Sequence, residues 1–418
     1  MSLHKRKKVA IIGAGAAGVF TAVNAARLNK ELDVTLFEKS RNLLSKVRIS
    51  GGGRCNVTNH CFDPEILSQA YPRGDKMMRW NFEQFQPRDT VEWFESRGVK
   101  LKAEADGRMF PVTDSSETII DCLLNEAKRY QVSIRTQTAV TQVEPIDDGG
   151  YLLHISGQKP ELADVVVIAT GGSNREQAYG WLTELGYSVI PPVPSLFTFN
   201  FRDKILTDLA GISVQKAHVI IEGTRFSETG PVLITHWGLS GPAVLKLSAR
   251  AARLLYEKDY RFTVQVNWLH PYTEDDVRKK LILVRDENAK KQVHKQEQFA
   301  IPGRLWIRFL ELSGISRDKR WADISNKELH HVIRWLVHGT YVCQGKTTYK
   351  EEFVTCGGIA LHEINPGTLE SKNNPELYFV GEVLDIDGIT GGFNFQAAWT
   401  NGWLAAKAIA LNATKDVS

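Results

Sequence analysis

The chain is poor in cysteine: five in 418 residues, Cys55, Cys61, Cys122, Cys343 and Cys356, an odd number without metal-ligand spacing. That excludes a disulfide framework and a cysteine-rich zinc site, and it fits a reducing, cytoplasmic compartment. Charge of one sign is scarce too, since 52 basic and 48 acidic side chains leave a net +4. A balance this close to neutral calls for neither nucleic acid nor an anionic membrane as partner. With 43% hydrophobic and 24% charged residues the composition is ordinary for a globular chain, and argues against disorder, collagen or a membrane-spanning protein.

Several chemical signatures are also missing. No second glycine fingerprint lies between Gly172 and Gly381, so there is no dedicated nicotinamide domain. Cys55 and Cys61 are one residue too far apart for the dithiol of a disulfide reductase. Gly238-Leu239-Ser240-Gly241 lacks the residue between serine and second glycine that a nucleophile elbow requires. Ser240 reads better as the cap of a helix that includes Pro242. His330-His331, beside Glu328 in a mixed-charge helical stretch, reads as a solvated face, and no metal site is expected.

Glycine is what the chain has: 33 residues, many in short runs. The basic residues 4–8 ahead of an apolar stretch resemble a secretory leader, but the glycines decide otherwise. Residues 9–12 form a short apolar strand, GAGAAG follows directly, and a helix is predicted from about residue 17 to 28. A second strand over 33–37 ends on Glu38, twenty residues beyond Gly18, the spacing at which an acid meets an adenosine ribose. Gly13 permits the turn, Gly15 lets backbone approach a pyrophosphate, and Gly18 lets the helix pack on the strand. Unpaired N–H groups at the helix start, around Ala16 and Ala17, suit phosphate. Dinucleotide binding follows.

Three later features favour FAD over a nicotinamide. Residues 44–56 put Gly51, Gly52 and Gly53 between Lys46 and Arg54, a loop able to wrap an extended diphosphate. Strand patterns at 132–134, 138–143 and 151–155 suggest a β-meander, leading into a buried strand at 164–169 that stops on Thr170-Gly171-Gly172. Near the C-terminus a strand ends on Gly381-Glu382, and a glycine-rich loop, 388–392, opens a helix from 393 to 411. A helix N-terminus there stabilises the negative N1–C2=O edge of reduced flavin.

This order of elements resembles the glutathione-reductase-like FAD fold. More narrowly, GAGAAG, KVRISGGGRCNVTN, GRMFP, THWGLSGPA, VTCGGI and GEVLDIDGITGGFNFQAAWTNG resemble one bacterial family of FAD proteins. Its members include aminoacetone oxidase and a flavoprotein that reduces unsaturated 3-oxo bile acids. The resemblance implies that Ala16, Glu38, Lys39, Lys46, Gly51, Gly52, Arg54, Cys55 and Asn56 line the adenosine-to-flavin path. It implies that Val140 meets adenine through its backbone with Ala169, Thr170 and Gly171 nearby. Gly381, Glu382, Gly391, Gly392, Phe393 and Asn394 would then face the ribityl chain and flavin.

The expected fold is α/β: a Rossmann-like FAD domain with a meander, in two parts (1–190 and 346–418). It is interrupted by an insertion over 191–345, β-rich to 270 and helical over 271–338, with a returning strand at 347–355. An insertion that returns beside the flavin can roof a small-molecule site. The candidate catalytic residues are His236, as acid or base, and Arg108, as a substrate anchor or a loop brace. The function expected is hydride transfer between a small organic substrate and flavin N5, in the direction of amine oxidation or of NAD(P)H-dependent enone reduction, with NAD(P)H bound only transiently. An RNA-modifying flavoenzyme and a non-catalytic flavin binder are the alternatives. The lysines and arginines of the helical insertion, such as Lys279, Lys290 and Arg317, alternate with acids such as Asp275 and Asp286, so a solvated helical surface is preferred over an RNA face. Oligomeric state is not encoded legibly.

Overall fold

The computed structural model describes residues 6–295, 299–347 and 354–415. The chain divides into two compact units, one of residues 1–195 with 350–418, the other of residues 196–349.

The first unit is built on a five-stranded parallel sheet in the order Leu377–Phe379, Val165–Ile168, Lys7–Ile12, Leu32–Phe37, Ser133–Arg135. The central strands read as unbroken apolar runs because both faces are covered. Val9 to Ile12 and Val165 to Ile168 are all buried. Helix Ala16–Leu28 covers one face and is itself buried along ten consecutive residues, because the C-terminal helix Phe393–Lys415 packs against it. Small residues make that approach possible: a β-carbon on Gly402 would lie 3.0 Å from Thr21 Oγ1 and 3.1 Å from the Ala17 carbonyl. Phe20 then fills the space between Trp93 and Trp399, with ring centroids 4.8 and 5.2 Å away.

Two features of this unit depart from the sequence reading. The strand expected at 132–134 is Ser133–Arg135, and it closes the edge of the parallel sheet instead of starting the meander. The meander consists of Val140–Pro145, Tyr151–Ile155 and Glu161–Ala163. Residues 44–56, expected as a loop, are helical at first: Ser45–Gly53 begins as helix and breaks at Ser50, Gly51 and Gly52, the two glycines turning left-handed at φ +58° and +70°. The polar stretch Ser45 to Ser50 hides an apolar Val47, which is the buried residue of that turn.

The second unit holds a closed six-stranded barrel, fuller than the sheet or partial barrel expected. Its order is Thr198–Phe201, Gly238–Ser240, Ser227–Ile234, Ser213–Ile221, Arg261–Asn267, Gly339–Thr347. Period-two alternation sends Phe262, Val264 and Val266 inward. Helices Glu274–Glu287, Gly303–Leu312 and Asn326–His338 add a second layer whose apolar faces share one core with the barrel, including Trp268, Trp306, Phe309 and Ile333. Ser240 ends a strand; the helix Pro242–Arg250 is capped by Gly241 without a side-chain bond, so the expected serine cap is not formed. Of the strand expected at 347–355, residues 348–353 lie outside the described residues; Val354–Ile359 pairs antiparallel with Val189–Ser195 in the first unit. Among the described residues no helix is long and apolar enough to cross a membrane.

Glu328 shows how the helical layer is fixed. It closes a capping box with Ser325 and accepts a hydrogen bond from Lys319 Nζ at 2.6 Å. Lys319 first, then the Ser325 donors against some burial, bring its carboxyl from 4.5 down to about 2. A depressed carboxyl contributes stability above its unfolded pKa and loses it as pH falls through the folded one. Glu328→Gln should therefore lower stability at pH 7 by about 1 kcal/mol. The gap from wild type in thermal melts should narrow as pH drops from 4.5 towards 2.

Candidate active site in the first unit

The turn after the first strand is tied by short bonds. Gly13 N–H donates to the Phe37 carbonyl at 2.8 Å, and Gly13 adopts φ +109°. A β-carbon on Gly18 would lie 1.9 Å from the Gly13 carbonyl oxygen, and one on Gly13 would lie 2.3 Å from the Ala169 carbonyl. Gly15 differs: it begins helix Ala16–Leu28 with no side-chain cap, and nothing lies within 4 Å of where its β-carbon would be. The helix start therefore offers its N–H groups and partial positive charge, with Ala16 and Ala17 first in line. Glu38 accepts from Ala14 N–H at 2.9 Å and Ser40 N–H at 2.8 Å, so it fixes the glycine turn. Lys39 beside it is exposed.

The later candidates converge on the same region of this unit from distant sequence. Lys46 Nζ donates to Glu382 Oε2 at 2.7 Å, while Glu382 Oε1 accepts from Thr355 N–H at 2.8 Å. Asn56, with its carboxamide oriented to satisfy both neighbours, accepts from Gly392 N–H at 2.8 Å and donates to the Thr58 carbonyl at 3.1 Å. Gly391 and Gly392 have φ +136° and +92°, and a β-carbon on Gly392 would meet the Thr58 carbonyl at 2.4 Å. Asn394 grips Gly388 twice through its amide, at 2.8 and 2.9 Å. Gly381 N–H donates to Asn401, and its α-carbon faces Ala17. Phe393 opens the C-terminal helix, Val140 opens the meander, and Ala169-Thr170-Gly171 follow the Val165–Ile168 strand.

Open space is present where a ligand would run. Gly52 and Gly171, like Gly15, have nothing within 4 Å of a notional β-carbon. Thr355 Oγ1 is buried without a hydrogen-bond partner, beside Gly172 and Glu382. An uncapped helix start, glycines fronting free space and an orphaned hydroxyl fit a dinucleotide as long as FAD.

Other candidates have different surroundings. Cys55 is fully buried at φ +61°, and burial pushes its thiol up to about 12, so it is a packing residue and not a nucleophile. Arg54 lies over the Phe110 ring at 4.0 Å and pairs with Glu104 at 2.7 Å. Arg108 donates to Glu104 Oε2 at 2.8 Å and Asp106 Oδ2 at 2.7 Å, so Glu104 joins the two guanidinium groups. His236 belongs to the second unit and stands exposed on a turn that Thr235 fastens, its Oγ1 donating to the Gly238 carbonyl and accepting from Gly238 N–H, each at 3.2 Å. Among the described residues no cluster of ligands suits a metal ion. Sequence reasoning missed Tyr71, Arg73, Ser195 and Asp387. Only Asp387, two residues beyond Asp385 in the last glycine-rich motif, carried a signal.

Comparison with known proteins gives consistent matches. The HI0933-like protein Rossmann domain family matches residues 7–408. The 3-dehydro-bile acid delta(4,6)-reductase of Clostridium scindens is 29% identical over 96% of this chain and 99% of its own. The ribosomal RNA dihydrouridine synthase of Escherichia coli is 31% identical over 95% of this chain and 96% of its own. Among solved structures, the 3-ketosteroid-delta4-(5alpha)-dehydrogenase of Rhodococcus jostii shares the fold, with TM-score 0.51, 13% identity and 98% coverage of each chain.

The glycines separate fold from ligand. Gly15→Ala meets no protein atom and should leave the FAD-free protein within about 0.5 kcal/mol of wild type, while weakening FAD uptake about tenfold or more. Gly18→Ala should lower both, since its methyl collides with the Gly13 carbonyl. Thermal melts of the FAD-free proteins alongside FAD titrations check both outcomes.

Proposed function

The chain belongs to the HI0933-like family and is a FAD-dependent oxidoreductase; from that premise we propose that it reduces a carbon–carbon double bond conjugated to a carbonyl group. The observation that carries this reading is a chemistry common to relatives that cover nearly the whole chain. One is named for reducing Δ4,6 double bonds, the other for making dihydrouridine, which is uridine with its conjugated double bond reduced. Amine oxidation has no such support.

FAD supplies the two-electron chemistry when bound. The chain's residues bind and orient. Gly13, Gly15 and Gly18 with Ala16 and Ala17 bring the first helix to the pyrophosphate. Glu38, with Lys39 beside it, addresses the ribose, and the Val140 backbone the adenine, near Ala169, Thr170 and Gly171. Lys46 and Glu382, Gly51 and Gly52, Arg54, Cys55 and Asn56 line the extended middle. Gly381, Gly391, Gly392, Phe393 and Asn394 hold the flavin end, where the start of the C-terminal helix favours negative charge. NAD(P)H is the proposed reductant: it gives up a hydride, the β-carbon gains that hydride, and the α-carbon gains a proton from an acid or water. Arg108, in the same unit as these residues, is the proposed carbonyl anchor.

A small enone and a uridine in ribosomal RNA are both substrates of this reaction type; the second reading is favoured by the names of the Escherichia coli and Haemophilus influenzae relatives. An anaerobic absorbance experiment decides. The yellow protein should bleach with NADH or NADPH and regain its colour with a 3-oxo-Δ4 steroid, whose mass rises by two hydrogens. Colour regained only with unmodified ribosomal RNA would transfer the reading to uridine, and colour lost to an amine and restored by air would reject reduction.

A further inference from the structure

We infer that the segment 70–74 positions the loop 385–393, and that Arg73 does so through a buried, forked ion pair with Asp387. The inference rests on the FAD reading, in which that loop holds the flavin end of the cofactor.

The loop has little of its own to define its shape. It contains Gly388, Gly391 and Gly392, the last two with positive φ, and glycine loses the most conformational freedom on ordering. Beside Asn56 on Gly392 N–H and Asn59 on the Gly391 carbonyl, several of its anchors come from one short stretch some three hundred residues earlier. Ile389 N–H donates to the Ala70 carbonyl at 2.9 Å. Tyr71, fully buried, donates its hydroxyl to the Phe393 carbonyl at 2.7 Å. Gly74 lies so close to Ile386 that a β-carbon would be 2.7 Å from Ile386 Cγ1. Arg73 Nε donates to Asp387 Oδ1 at 2.5 Å, and Arg73 Nη2 donates to Oδ2. Ser195 Oγ donates to the same Oδ2 at 2.9 Å.

The ion pair is an expensive way to hold a loop. Asp387 is 0% exposed and the Arg73 side chain 13%. Burial pushes the aspartate carboxyl up to about 6, although Arg73 and Ser195 pull it down. Buried pairs of this kind add little net stability over apolar residues of the same volume. What they add is direction: two parallel N–H···O bonds fix the carboxylate plane, which a lysine cannot do. With Asp387 held in orientation, the next residue, Gly388, is delivered to Asn394, and Asn394 sits in the first turn of the C-terminal helix. Arg73 and Asp387 are thus positioning residues; neither needs to touch the cofactor. Ser195 is the last residue of the first unit before the chain crosses to the second, so this carboxylate also ties the loop to the crossover strand.

The test uses FAD-loaded protein carrying Arg73→Lys, Asp387→Asn or Ser195→Ala. FAD affinity and flavin midpoint potential are read beside circular dichroism and the melting point of the FAD-free form. Arg73→Lys keeps the charge and should fold, yet weaken FAD about tenfold or more and shift the potential. Ser195→Ala should shift both in the same direction and by less. A purely structural role would move the melting point of the FAD-free form and leave the potential where it was. Folded Arg73→Lys with wild-type affinity and potential overturns the inference. If the position 73 and 387 variants fail to fold, Ser195→Ala decides, because it leaves the ion pair whole: a shift supports the inference and no shift overturns it. A wild-type protein that takes up no FAD would instead overturn the cofactor reading, and that is seen before any variant is made.

Discussion

The first unit depends on how closely helix Ala16–Leu28 can approach its neighbours. At one end the Gly18 α-carbon lies against the Gly13 carbonyl, at a distance that only glycine allows. Along its side, Ala17 and Thr21 accept Gly402 of the C-terminal helix, and Ala17 meets Gly381. A single helix is therefore gripped by the first strand's turn, by the turn after the last strand and by the last helix. Its open N-terminus is consequently held at a fixed place relative to both ends of the chain. Dispersion and burial hold the contact, and each methyl added there would force a backbone shift in a close-packed interior.

That constraint explains what was legible in the sequence. A strand, six residues with three glycines and a helix, followed by a strand ending in acid, form a local signal, and the parallel sheet, the meander and the β-rich insertion with its helices are all present in the structure. Sequence pattern and structure differ where local pattern competes with long-range pairing. Residues 132–134 alternate like a meander strand, but Phe37 and its neighbours pair with Ser133–Arg135 and draw it into the parallel sheet. Residues 44–56 look like a loop because polar residues and glycines dominate; the turn of helix forms because Val47 has a core to enter. Ser240 has the chemistry of a cap but is held in a barrel strand paired with Leu233. For the candidate site, single residues were nameable, whereas their partnerships were not. Lys46 and Glu382, 336 residues apart, and Arg73 and Asp387, 314 apart, have no periodic relation to reveal them.

Those partnerships also change the electrostatic reading of the candidate site. From the sequence, Lys46 and Arg54 flanking three glycines look like free cations awaiting phosphate. In the structure each has a carboxylate: Glu382 for Lys46, Glu104 for Arg54, with Glu104 shared by Arg108. Solvent-screened pairs of this sort contribute little to stability, so a phosphate can replace a carboxylate at small cost. The acids hold the long basic side chains near the glycine loops, which lowers the entropy lost when a phosphate is bound. The acids also bring the charge around the glycine loops close to neutral, which weakens long-range attraction of polyanions. The start of helix Ala16–Leu28 has no acidic side chain in its first turn, so it offers a partial positive charge fixed in direction beside the space that Gly15 leaves. On the proposed reading, a diphosphate joined to two flat ring systems is selected by helix starts and glycine turns held in place by packing, more than by net charge.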